Sequence, residues 1–137
     1  AKSGSIPYLV IDNKQNLSDY KILIKLKHYK VNLILLAGYM KILSKSFIRS
    51  FGKSIINIHP SLLPKFKGLN TFEKALSQKE KKTGCTVHFV TEKLDSGKII
   101  LKKFFYIDNK DNIQTLKKKT QRLEYNAFSE AIIRIIK

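Results

Sequence analysis

The sequence predicts an α/β fold, a three-layer sandwich around a mostly parallel, Rossmann-like sheet. Three observations lead there. The apolar runs Val31–Leu36 and Ile55–Ile58 have the composition of strands covered on both faces. Stretches with apolar residues at helical spacing separate these runs. Two further strand-like runs and a long amphipathic helix complete the chain. A length of 137 residues suits one domain, 1–137, and leaves no room for a second.

Each element has a local reason. Tyr8–Ile11 is a short β-like run after the turn-like Ser3-Gly4-Ser5-Ile6-Pro7. Between Ser18 and Tyr29, Tyr20, Leu23, Ile24 and Leu26 recur at helical spacing, and Ser18 is placed to cap. Ser44–Phe51 reads as a short helix ended by Gly52. Pro60 cannot extend the ladder of the Ile55–Ile58 strand. Asn70-x-x-Glu73 has the form of a capping box opening a helix to about Gln78. Cys85–Val90 and Ile99–Phe105 are strands flanking the turn-forming Asp95-Ser96-Gly97. From about Asn112, Ile113, Leu116, Leu123, Ala127, Phe128, Ala131, Ile132 and Ile135 make one helical stripe, with Lys117-Lys118-Lys119 turned outward.

Composition narrows the function. The longest apolar stretch, Leu33–Met40, falls far short of the ~20 residues of a membrane span. The N-terminal residues lack signal-peptide architecture, and a single cysteine, Cys85, allows no internal disulfide, so a cytoplasmic location is expected. Net charge is +17, yet only Arg49, Arg122 and Arg134 are arginines. Arginine is the preferred fork for phosphate and guanine. The abundance of Lys, Ile and Asn therefore reads as compositional drift, and neither a membrane nor a nucleic-acid partner is expected.

Polar residues gather where ligands bind in such sheets, beyond the carboxyl ends of the strands. Asn57-Ile58-His59-Pro60 sits at one such end, with Asn57 and His59 on the same side of the strand. An amide and an imidazole side by side can polarise a carbonyl oxygen, although a structural, hydrogen-bonded histidine reads equally from the pair alone. The following loop, Pro60 to Gly68, is stiffened by Pro60 and Pro64, as a preorganised site requires. Asp95 is a turn former by its own tetrapeptide; set near His59, its carboxylate favours imidazolium and orients the ring. Gly52-Lys53-Ser54 lacks the earlier glycine of a phosphate loop, since Phe47 stands there. Cys85 and His88 point to opposite faces of a strand and make a poor metal pair, and no metal is expected.

Leu36-Ala37-Gly38-Tyr39-Met40-Lys41-Ile42-Leu43-Ser44, Asn57-Ile58-His59-Pro60-Ser61-Leu62-Leu63-Pro64, Gly84–Thr91, Leu94-Asp95-Ser96-Gly97 and Gln121-x-x-Glu124 together resemble the phosphoribosylglycinamide formyltransferases. The resemblance implies a formyltransferase fold and transfer of a formyl group from 10-formyltetrahydrofolate, the co-substrate, to the amine of glycinamide ribonucleotide in purine synthesis. It implies that Asn57, His59 and Asp95 are catalytic. Met40, Lys41, Ile42, Leu43, Val90, Thr91, Glu92 and Leu94 would line the folate pocket. Gly38, Met40, Ile58, Pro60, Gln121 and Glu124 would hold the ribonucleotide, and Leu63–Pro64 would be cis. Related folate enzymes are alternatives. Methionyl-tRNA formyltransferases share the loop but usually continue Arg-Gly-Ala-Ala-Pro, where Lys67-Gly68-Leu69-Asn70-Thr71 stands here; deformylases carry a second histidine in place of Pro60. A non-catalytic basic binding fragment is the third alternative. The family's opening strand and its Gly- and Asn-rich phosphate loop have no counterpart, so the sequence corresponds to the family's carboxyl-terminal two-thirds. The Val31–Leu36 strand is then expected at a sheet edge.

Overall fold

A computed structural model describes Tyr8 and residues 19–136. The expected strand at Tyr8–Ile11, apart from Tyr8 itself, and the Ser18 cap lie outside the described residues. The elements run α1 (Asp19–His28), β1 (Leu33–Leu36), α2 (Lys45–Phe51), β2 (Ser54–His59), α3 (Thr71–Ser77), β3 (Lys82–Phe89), β4 (Ile99–Tyr106) and α4 (Ile113–Ile136). All fall close to the stretches that periodicity marked.

The four strands form one sheet in the order β1-β2-β3-β4. Strand alternation divides the core into two clusters on opposite faces. Ile56, Ile58, Cys85, Val87 and Leu101 face α4 and meet Ala127 and Ala131. Ile55 turns the other way, against Leu23 of α1 and Phe47 of α2, with Ile34, Leu36 and Val90 packed around them. Three layers result, as α/β patterning requires.

The sense of pairing corrects the expectation of a mostly parallel sheet. Among the described strands β1 and β2 are parallel, whereas β2–β3 and β3–β4 are antiparallel. A parallel pair needs a crossover of a dozen or more residues, usually helical; the Val90–Lys98 link is too short and holds only turns. Apolar content alone does not reveal strand direction. At the sheet's end β1 has no partner on its outer side among the described residues, and Leu35 there is 43% exposed.

Local chemistry explains most boundaries. Ser44 caps α2 by accepting from Phe47 N, and Gly52 ends the helix in the left-handed region at φ 63°. The capping box at Asn70 is absent. Asn70 itself is left-handed, at φ 59°, and its side chain makes no capping bond. That backbone turns the carboxamide away from the first-turn amides it was expected to serve. On α4, Leu116, Ala127 and Ala131 are buried and Lys117–Lys119 are exposed, while Ile113 escapes the stripe and faces solvent.

Candidate active site

Period two along β2 puts Asn57 and His59 on the α1–α2 side of the sheet, with Ile55. The register places His88 opposite Asn57 and Thr86 opposite His59. Four polar side chains on neighbouring strands thus share one face.

The turn after β3 adds a carboxylate. Asp95 adopts φ 44°, a left-handed conformation that Asp tolerates better than most residues. Its Oδ2 lies 3.5 Å from His59 Nδ1, with both side chains only 7% exposed. The same oxygen accepts the Gly68 N–H at 2.9 Å, and Lys67 Nζ donates to Ser96 Oγ at 2.6 Å. Two bonds therefore pin the Asp95 turn to the loop that follows β2. Asp95 Oδ1 lies 3.7 Å from His88 Nε2, so the carboxylate stands between two imidazoles.

His59 Nε2 is 2.8 Å from the Phe66 carbonyl oxygen. Both ring nitrogens thus face acceptors, a carboxylate and a carbonyl. Asn57 Nδ2 lies 3.4 Å from His88 Nε2, and His88 Nδ1 donates to the Phe89 carbonyl at 2.9 Å. Burial holds the His88 pKa below the ordinary histidine value; the Phe89 carbonyl and Asp95 pull it back up in part.

The loop from Pro60 to Gly68 is held from inside. Thr86 is fully buried; its Oγ1 donates to Ser61 O at 2.7 Å and accepts from Leu63 N at 3.1 Å. Ser61 Oγ, also fully buried, donates to Lys65 O at 2.7 Å. Lys102 Nζ donates to Leu63 O, and the Leu63–Pro64 bond is cis.

The remaining expected site residues divide. Gly38 (φ 66°), Met40 and Ile42 lie exposed on the segment after β1, and Lys41 with them, while Leu43 packs into the α1–α2 core. Val90 packs in the same core and donates its N–H to Ile55 O at 2.8 Å. Thr91 Oγ1 donates to Lys93 O, and Leu94 is exposed. Glu92 accepts both Arg49 Nε and Nη2, at 2.6 and 2.9 Å, so its carboxylate ties the turn to α2. Pro60 is half-buried beside His59. The Ile58 side chain faces the other way, into the α4 core. Gln121 and Glu124 lie on α4, the helix packed on the sheet face opposite the Asn57 and His59 side chains. Burial raises the Glu124 pKa, and its charge reaches Cys85 on that same opposite face.

Three participants escaped sequence reasoning: His88, Thr86 and Arg49. For two of them a signal existed, because Thr86 and His88 alternate with Cys85 and Val87 on a buried strand and so share the face of Asn57. A cavity of about 300 Å³, lined by Leu23, Lys27, Phe51 and Lys53 among others, opens at the start of β1 and β2, the end of the sheet away from this cluster. Among the described residues no group of three His, Cys, Asp or Glu side chains is placed to hold a metal, and no helix is long and apolar enough to cross a membrane.

Comparison with known proteins places the chain in a family. The family model described as formyl transferase matches residues 1–132. A phosphoribosylglycinamide formyltransferase of Haemophilus influenzae is 42% identical over 132 residues, covering 93% of this chain and 62% of that protein. A trifunctional purine biosynthetic protein of Gallus gallus is 41% identical over 96% of this chain and 14% of its own length. The crystal structure of phosphoribosylglycinamide formyltransferase from Anaplasma phagocytophilum matches with a TM-score of 0.89 at 37% identity, over 96% of this chain and 64% of that one. The enzyme of the same name from Bacillus halodurans matches at 0.90 and 32% identity, covering 98% and 72%. The chain therefore spans less than two-thirds of the length of the Haemophilus and Gallus relatives. On the matched residues and the shared fold alike, it belongs to the formyl transferase family, alongside the phosphoribosylglycinamide formyltransferases.

Proposed function

We propose that this chain carries the formyl-transfer chemistry of a phosphoribosylglycinamide formyltransferase, moving a formyl group from 10-formyltetrahydrofolate to the amine of glycinamide ribonucleotide in the cytosol. The observation that carries this reading is the convergence of Asn57, His59 and Asp95, from a strand end and a separate turn, on one side of the sheet. The names of the relatives support it.

The roles follow from charge development. The amine attacks the formyl carbon; a C–N bond forms and the carbonyl π pair moves onto oxygen. An N–H of Asn57 and one of protonated His59 stabilise that oxyanion, an arrangement whose strength comes from donors set in place beforehand. The intermediate collapses by breaking the bond from carbon to N10 of the folate. The proton lost by the attacking nitrogen ends on N10, and Asp95 assists its passage through water while holding His59 in orientation. The Met40–Leu43 segment and the Val90–Leu94 turn would flank the folate. Gly38, Pro60, the Ile58 main chain, Gln121 and Glu124 would contact the ribonucleotide.

The test is formyl transfer by the purified chain, followed as formation of tetrahydrofolate. His59→Ala and Asp95→Asn each lower kcat by about 10²-fold or more. Undiminished transfer by both variants would overturn the assignment.

A further inference from the structure

We infer that His88 is a positioning residue for Asn57: a neutral imidazole whose Nε2 lone pair fixes which end of the Asn57 carboxamide is the donor. The inference deepens the formyl-transfer reading and rests on it for the role of Asn57.

The argument runs through hydrogen-bond inventory. His88 Nδ1 lies 2.9 Å from the Phe89 carbonyl oxygen, which only accepts, so the ring proton resides on Nδ1. Nε2 of the neutral ring then offers only a lone pair. Asn57 stands directly across the β2–β3 ladder and approaches that nitrogen to 3.4 Å with Nδ2. Turned over, the carboxamide would set Oδ1 against the lone pair, two acceptors face to face. One Asn57 N–H is thereby committed to His88. The other has no partner among the described residues and is left for a ligand oxygen.

A proton added to Nε2 reverses the arrangement. Nε2 becomes a donor, Asp95 Oδ1 at 3.7 Å becomes its natural acceptor, and Asn57 keeps a contact only by presenting Oδ1. The donor that the oxyanion needs is then lost, and Asp95 is drawn from His59. The groups acting on His88 are the Phe89 carbonyl and Asp95, which favour its charged form, and His59 and Lys67, which oppose it. With the ring 2% exposed, burial sets the balance toward neutrality.

Two measurements decide. Long-range ¹H–¹⁵N correlation of the ¹⁵N-labelled protein reports the tautomer directly; the neutral Nδ1–H form of His88 is expected above pH 6.5. In the formyl-transfer assay, His88→Phe removes the acceptor and lowers kcat about 10²-fold, the scale of losing one oxyanion donor, while KM for either substrate holds. His88→Gln, which returns an acceptor oxygen, restores most of the rate. Asn57→Ala and His88→Phe together cost less than the product of their separate losses, because removing Asn57 already removes the group that His88 orients. An Nε2–H tautomer, or losses that multiply in the double variant, would overturn the proposal. If His88→Phe does not fold, the tautomer of the unaltered protein still decides. An unaltered protein that shows the Nδ1–H form but transfers no formyl group supports the positioning of Asn57 and defeats the reaction assigned to the site.

Discussion

Replacing Thr86 with valine removes one oxygen from the interior and almost no volume, which isolates the clamp on the Pro60–Gly68 loop. The hydroxyl donates to Ser61 O and accepts from Leu63 N, and the residue is fully buried. Without it the Leu63 N–H has no partner, a loss of about 1–3 kcal/mol for a buried donor, and the bond to Ser61 O forfeits about 1 kcal/mol more. The expected destabilisation is therefore roughly 2–4 kcal/mol, a large fraction of the ~5–15 kcal/mol that holds an ordinary domain together. Equilibrium urea unfolding reads it as a lower midpoint at unchanged slope. Thr86→Ser, which keeps both bonds and gives up one methyl, stays within about 1.5 kcal/mol of the parent. A valine variant as stable as the parent, or a serine variant as damaged as the valine one, would show that the loop is not held through this hydroxyl.

Acid should weaken the fold through His88. Burial lowers its folded-state pKa below the ordinary histidine value of 6.5, so the unfolded chain takes up a proton that the folded ring refuses. Stability is then complete above pH 6.5 and declines as pH falls from there through the lowered value; urea midpoints against pH show this decline, and His88→Gln flattens it. At Gly97 an added Cβ would stand 1.8 Å from the Phe89 carbonyl oxygen. Gly97→Ala must displace the turn that carries Asp95, lowering unfolding stability by about 2 kcal/mol or more and formyl transfer along with it. Burial, with the nearby Glu124 charge, pushes the Cys85 thiol up to about 12, so labelling by iodoacetamide at neutral pH proceeds only as fast as the chain unfolds. Rapid labelling of the folded protein would contradict the core described here.

Helix α2 and strand β2 were legible because each is announced by local chemistry: Ser44 before and Gly52 after the one, an apolar run stopped by Pro60 in the other. Strand direction was not, since Cys85–Val90 and Ile99–Phe105 would look the same in either sense and only the length of their link tells. The Asn70 cap failed for a related reason. A motif of residue types carries no information about the dihedral angle at its first residue, and the preceding Gly68 turn delivers Asn70 in the left-handed region. Asn57 and His59 could be paired from period two, and Asp95 joined them through resemblance, since nothing in Leu94-Asp95-Ser96-Gly97 points across the molecule. His88 was visible as a polar residue on a buried strand. Its bearing on Asn57 depends on the β2–β3 register, which pairs strands joined through the Pro60–Gly68 loop and α3 and is not read from one strand alone.

If His59 works as proposed, its contact with the Phe66 carbonyl bears on selectivity between stages of formyl transfer. A formyl group at rest is another neutral carbonyl and offers the imidazole no better acceptor than the peptide oxygen it already has. Once attack begins and negative charge collects on the formyl oxygen, that oxygen outbids the peptide, because hydrogen bonds to an ionised acceptor are about twice as strong as neutral ones. In the proposed reaction the main chain at residue 66 would act as a reference competitor, offsetting the ring's attraction for bound substrate while leaving its attraction for the activated complex, which is the difference that accelerates a reaction.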